Sequence, residues 1–146
     1  VSHRDLEGVV CDYGSWLSRG WCRVELFALL LARFNRLPAI IIKGPESAPF
    51  MISGAFAARS SPGTGKFTCC TRNHCIRGPD GLERNIPCDK VKLGPMIWEM
   101  LRHRLQYLLG QGDVCEYRVW VAMTPVLMQG LPVPEACRQL TQHATA

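Results

Sequence analysis

The sequence predicts an α/β domain: a partial parallel sheet flanked by helices, carrying a long Cys-, Gly- and Pro-rich insertion. Three features predict it. Apolar residues fill Trp21 to Phe34 behind a capping Ser18, and recur at helical spacing from Met96 to Leu109. Each of those stretches is followed by a short strand-like run, Ala39–Ile42 and Tyr117–Met123. Residues 44–94 separate the two halves with little apolar periodicity. Helix, strand, insertion, helix, strand, helix is the order of an α/β chain.

A chain of 146 residues is one domain long, and 47% hydrophobic with 20% charged residues is the balance of a folded globule, not of a disordered segment. No run approaches the ~18–20 apolar residues of a membrane-spanning helix, and no basic-then-apolar leader opens the chain. A cytoplasmic protein without a membrane partner is therefore expected. The chain begins at Val1 without an initiator Met, so 1–146 is read as one domain cut from a longer protein. The eight Cys are even in number, yet several sit in apolar patterns and no export signal accompanies them, which favours reduced thiols over a disulfide framework. Thirteen Arg and four Lys leave a net charge of +5, and +4 of it falls between Arg59 and Lys92. Phe67 is the single aromatic residue in that basic stretch, so it offers no stacking platform for a nucleic acid strand, and nucleic acid is not the expected partner.

Taken in order, Gly8–Cys11 is an edge strand or loop. Ser18 is placed to cap a helix through its hydroxyl. The residues that follow are apolar nearly all round, which predicts a helix buried on more than one side and ended by Asn35 and Pro38. Ala39–Ile42, too apolar to alternate, reads as a strand covered on both faces of a parallel sheet. Lys43-Gly-Pro45 turns the chain into the irregular insertion, where Phe50–Ala58 suggests one helical turn. Gly94-Pro95 opens the next helix, with Pro at the first helical position and Gly110 as terminator. Tyr117–Met123 alternates like a strand; Thr124-Pro125 starts a short helix closed by Gly130, and Pro134 starts a last one reaching about His143.

Ser18-Arg-Gly-Trp-Cys-Arg-Val-Glu-Leu26 is the most distinctive stretch. An acidic residue inside so apolar a helix needs a reason: Glu25 either meets the positive end of the helix macrodipole, pairs with a cation such as Arg19, or serves as a carboxylate at a cleft. The stretch resembles the S-x-x-W-C-x-x-E-L pattern of Toll/interleukin-1 receptor (TIR) domains, especially the plant type, and a group of algal proteins sharing R-G-W-C-R-x-E. The likeness covers residues 12–44. It implies a flavodoxin-like parallel sheet and an intracellular protein-interaction or signalling module, with a protein partner or self-association. In the TIR domains that are enzymes, the Glu of this motif cleaves NAD at the nicotinamide–ribose bond. The resemblance thus makes Glu25 the candidate catalytic residue and Trp21 with Glu25 the candidate contacts for NAD as substrate. The first strands of that fold would lie upstream of Val1, so NAD cleavage is expected of a longer protein and not of this chain alone.

Cys69-Cys70-Thr-Arg-Asn-His74-Cys75, with Cys88 downstream, gathers thiols and an imidazole in the insertion. Zinc takes four S or N ligands, and a loop poor in apolar residues gains order from such a clip. Adjacent Cys rarely both reach one metal, so the candidate ligands are Cys70, His74, Cys75 and Cys88, and a zinc-stabilised binding domain stands beside the other two functions. Unligated thiols are the alternative. Ser61-Pro-Gly-Thr-Gly-Lys66 fails the phosphate-loop register, with Ser60 where Gly is needed and Phe67 after the Lys. Cys22 lies between Arg19 and Arg23 near a helix N-terminus, where a thiol pKa is lowered; with no His adjacent as base it is read as a packing residue.

Overall fold

A computed structural model describes residues 12–32, 38–43, 45–52, 60–135 and 137. The chain is a mixed α/β structure, with helices α1 (Tyr13–Leu17) and α2 (Gly20–Leu31), a hairpin β1 (Ala39–Ile41) and β2 (Phe50–Ile52), a 3-10 turn (Pro62–Thr64), a short α3 (Thr68–Thr71), a second hairpin β3 (Cys75–Arg77) and β4 (Glu83–Asn85), and two long helices, α4 (Asp89–Gly110) and α5 (Val114–Leu127). The proposed strand at Gly8–Cys11 lies outside the described residues.

Asp12 starts α1 through a reciprocal cap: its carboxylate accepts the Ser15 N–H at 2.7 Å while Ser15 Oγ accepts the Asp12 N–H at 2.9 Å. Ser18 does not cap α2. It ends α1, its hydroxyl donating to the Ser15 carbonyl, and Arg19 is the N-cap of α2 without a side-chain bond. The prediction of two-sided burial holds for α2. Val24, Phe27 and Leu31 enter the main core with α4 and α5, whereas Leu26 and Leu30 pack against Tyr13, Trp16, Ala39, Ile41, Phe50 and Ile52. Trp21, Glu25 and Leu29, each one turn apart, form the stripe left to solvent.

The expected parallel sheet is not what the described residues form. β1 pairs antiparallel with β2, Ile40 opposite Met51, and β3 pairs antiparallel with β4. Ala39 and Ile41 face the smaller core, but Ile40, Ile42 and Met51 point outward at 63%, 72% and 70% exposure. An apolar run read as doubly covered is therefore covered on one face. Antiparallel pairing needs only a short connection, here across 42–49, where a parallel crossover would need a helix.

The second half departs further. α4 starts at Asp89, six residues before Pro95, and Gly94 serves close packing: a Cβ there would lie 2.4 Å from the Pro132 carbonyl oxygen. Gly112, with φ 71°, supplies the left-handed turn after α4 in place of Gly110. Tyr117–Met123 is helical, within α5. Asp113 caps that helix by accepting the Glu116 N–H, and the inward residues Val121, Thr124 and Leu127 follow helical spacing. The alternation that suggests a strand is not the pattern of burial: two residues apart, Val119 is about half exposed and Val121 is buried. Thr124 and Pro125, expected to open a separate short helix, lie inside α5, and Gly130 turns the chain beyond its end with φ 74°. Of the last predicted helix, Pro134 is not helical, Glu135 and Cys137 are, and the other residues lie outside the described ones.

Candidate metal centre

Within the insertion, the organisation of the segment that begins at residue 60 starts from the motif of α2. Lys66 donates its N–H to the Ser18 carbonyl at 2.8 Å and accepts the Gly20 N–H at 2.9 Å, a parallel bridge that lays 61–67 beside the start of α2. Arg23 clamps the same segment, donating to the Leu17 and Ser61 carbonyls and to Thr64 Oγ1. Ser61 and Gly63 sit against the end of α5: the Ser61 hydroxyl lies within hydrogen-bond distance of the Leu127 and Gln129 carbonyls, and a Cβ on Gly63 would come 2.3 Å from the latter oxygen. The glycines of Ser61–Lys66 thus permit close packing, in keeping with the rejection of a phosphate loop.

Phe67, 2% exposed, then seats the turn that carries Cys69 and Cys70. After α3 the backbone reverses through Asn73 and His74, both at positive φ (49° and 59°), a conformation Asn tolerates and His adopts less readily. The turn is held by His74 N–H donating to the Cys69 carbonyl at 2.7 Å and by Ile86 N–H donating to the His74 carbonyl at 2.8 Å. The β3–β4 hairpin brings the chain back, so Cys88 arrives at the N-cap of α4 facing the other thiols.

The result is a cluster. One ligand atom each from Cys69, Cys70, His74 and Cys88 lies within 4.8 Å of all the others. Cys69 Sγ and Cys70 Sγ are 3.9 Å apart, and Cys70 Sγ and Cys88 Sγ 3.7 Å. Two sulfurs bound at the usual zinc distance in a tetrahedron would be separated by about 3.8 Å. His74 Nδ1 is buried without a hydrogen-bond partner, which is costly for a ring nitrogen unless a ligand takes its lone pair. The Asp89 N–H donates to Cys69 Sγ at 3.4 Å, the kind of bond that steadies a thiolate ligand. Burial first, and then the neighbouring thiols Cys88 and Cys69, push the Cys70 thiol up to about 11, so a cation binding there must displace the Cys70 proton. The chemistry and spacing of this set suit a metal such as zinc.

Three of the four predicted ligands, Cys70, His74 and Cys88, are brought together. Cys75 is not: it lies past the turn on β3, and its thiol donates to Asn85 Oδ1 at 3.2 Å. Cys69 takes its place. Adjacency was the reason for leaving it out, and the short helix overturns that reason by splaying neighbouring side chains around one point. The available signal was the five-residue step from Cys69 to His74, which a single turn of helix plus a reversal closes.

The motif residues stand differently. Glu25 is exposed, sits beyond the first turn of α2, and among the described residues has no hydrogen bond or ion pair, so neither the macrodipole nor Arg19 accounts for it. A cavity of about 320 Å³ lies at the end of α5, lined by Pro125, Met128, Leu131, Val133 and Cys137 among others, and neither Glu25 nor the clustered thiols line it. Trp21 is 47% exposed and donates its indole N–H to Asp89 Oδ2 at 3.0 Å. The Cys22 thiol is raised, first by burial and then by Glu25, with Arg19 opposing; the lowering expected of the flanking arginines is outweighed, and Arg23 is turned toward the 61–64 segment. On the second hairpin Arg84 pairs with Asp80, and the Arg77 guanidinium donates to the Gly81 carbonyl. No helix among the described residues is long and apolar enough to cross a membrane.

Comparison of the chain with protein-family models, with curated proteins and with solved structures finds no match.

Proposed function

We propose that this chain is a zinc-stabilised protein-interaction domain, with the ion held by Cys69, Cys70, His74 and Cys88. The observation that carries this reading is the convergence of three sulfurs and one imidazole nitrogen within 4.8 Å, at the sulfur spacing of a tetrahedral site. Four protein ligands fill the preferred coordination of zinc and leave no position for water or substrate, which favours a holding role over a catalytic one. The segment from 60 to 88 is built of elements three or four residues long, and a cross-link from Cys69, Cys70 and His74 to Cys88 would add to the few core contacts it makes through Phe67 and Ile86. When bound, zinc would supply a fixed tetrahedral junction and no redox chemistry.

The interaction half of the reading is supported by the outward apolar side chains Ile40, Ile42 and Met51 and by the TIR-like motif of α2. Exposed Glu25, away from the described cavity, lends no support to NAD cleavage by this chain. Elemental analysis of the purified, reduced chain tests the proposal. One zinc per chain is expected, falling away in Cys88→Ser and His74→Ala and persisting in Cys75→Ser; a wild-type chain that takes up less than about half an equivalent when offered excess zinc would contradict it.

A further inference from the structure

We infer that the Ser18–Arg23 segment is the outer shell of the metal centre, and that Trp21 is its positioning residue. This rests on the zinc reading above and assigns a physical task to the most distinctive stretch of the sequence. The connection runs through Asp89. The Trp21 indole N–H holds the Asp89 carboxylate at 3.0 Å, across 68 residues of sequence. The backbone N–H of the same Asp89 holds Cys69 Sγ at 3.4 Å, and its preceding residue is the ligand Cys88. One indole therefore fixes the residue that touches one sulfur and orients the next.

A second path reaches the same ligands from the other side. Gly20 lies so close under the Phe67 ring that a Cβ there would be 2.0 Å from Cζ. Phe67 is the N-cap of α3, and its carbonyl accepts the Thr71 N–H, so the packing at Gly20 sets where Cys69 and Cys70 point. The bridge from Ser18 and Gly20 to Lys66 locks that arrangement in register. Both segments that carry thiols are thus anchored on six residues of α2 and its approach. Outer-shell partners of metal ligands hold the first shell in its bound geometry, and their loss typically weakens metal binding by roughly 10–100-fold.

The test is zinc affinity, measured by competition with a chromophoric chelator, on the full chain. Trp21→Phe keeps an aromatic ring, though a smaller one, and removes the N–H; since Trp21 is about half exposed, the variant is expected to fold. Zinc binding should weaken roughly 10–100-fold, while the thermal midpoint of the metal-stripped protein stays near that of the stripped parent. Asp89→Ala should weaken binding to a similar degree, Asp89→Asn, which keeps an oxygen for the indole, should largely restore it, and Trp21→Phe with Asp89→Ala together should cost little more than either alone, the non-additivity of residues acting in one path. Glu25→Gln, on the same exposed stripe but off the path, should bind as the parent does. A parent that binds zinc with Trp21→Phe and Asp89→Ala both within about twofold of it overturns the outer-shell assignment and leaves the zinc reading standing. Additive losses in the double variant also overturn it. A parent that binds no zinc overturns both.

Discussion

Residue 20 has no room for a methyl group, and that steric fact governs how the motif of α2 is used. Three carbons of the Phe67 ring lie 2.0–2.5 Å from where a Cβ on Gly20 would sit, and a Cβ on the neighbouring Gly65 would in turn lie 2.5 Å from the Gly20 Cα. Gly20→Ala must push the ring aside in a filled core, and is expected to cost about 1–3 kcal/mol. The check is a urea denaturation series, with a lower midpoint and an unchanged slope. Cys22 is a different case. Its thiol is raised by burial and by Glu25, and a raised thiol has less thiolate at neutral pH. Alkylation of Cys22, followed by peptide mass, should therefore lag behind that of the exposed Cys115 at pH 7 and accelerate only as the pH rises above the ordinary thiol range. Rapid labelling at neutral pH would show an activated thiol instead. Cys69 marks the limit of reading residues singly: nothing in Cys69-Cys70 as a pair announces convergence, because it is the turn at Asn73 and His74 that folds the imidazole back onto both sulfurs.

At the scale of elements, α2 was legible because its burial is written in its own residues, apolar on two flanks with Trp21, Glu25 and Leu29 left over. α5 was not, because apolar residues alternate along Tyr117–Met123 as in a strand, while the buried positions Val121, Thr124 and Leu127 keep helical spacing. The cap at Asp113 was the better signal. Asp113→Ala removes the acceptor for the Glu116 N–H and should lower stability by about 1 kcal/mol, read from the thermal midpoint. Hairpin β1–β2 was legible as a strand at 39–41 but not as an antiparallel pair, since three or four apolar residues in a row do not state their partner. Its outer face gives a second check. Ile40→Lys with Met51→Lys exchanges side chains that are mostly in water, so the melting temperature should hold; a fall of several degrees would show that this face is covered within the chain.

For the whole molecule, the two halves of the sequence meet at one place. α2 comes from the first half, the thiol-bearing turn and the second hairpin from the middle, and α4 from the second half, and all three converge around Cys69, Cys70, His74 and Cys88. That convergence was half legible: the cluster of Cys and His stood out, but the irregular stretch around it gave no periodicity, since it is built of short elements held by contacts with α2 and not by a repeating apolar pattern. Fold and metal are accordingly expected to be coupled, with chelation lowering the melting temperature of the whole chain in one transition instead of loosening a single loop. The most direct measurement is the absorption spectrum of the cobalt-substituted protein. Three thiolates and one imidazole in a tetrahedron should give intense visible d–d bands and a sulfur-to-cobalt charge-transfer band that saturate at one equivalent; the weak spectrum of a six-coordinate, oxygen-ligated cobalt would contradict the site and the account built on it.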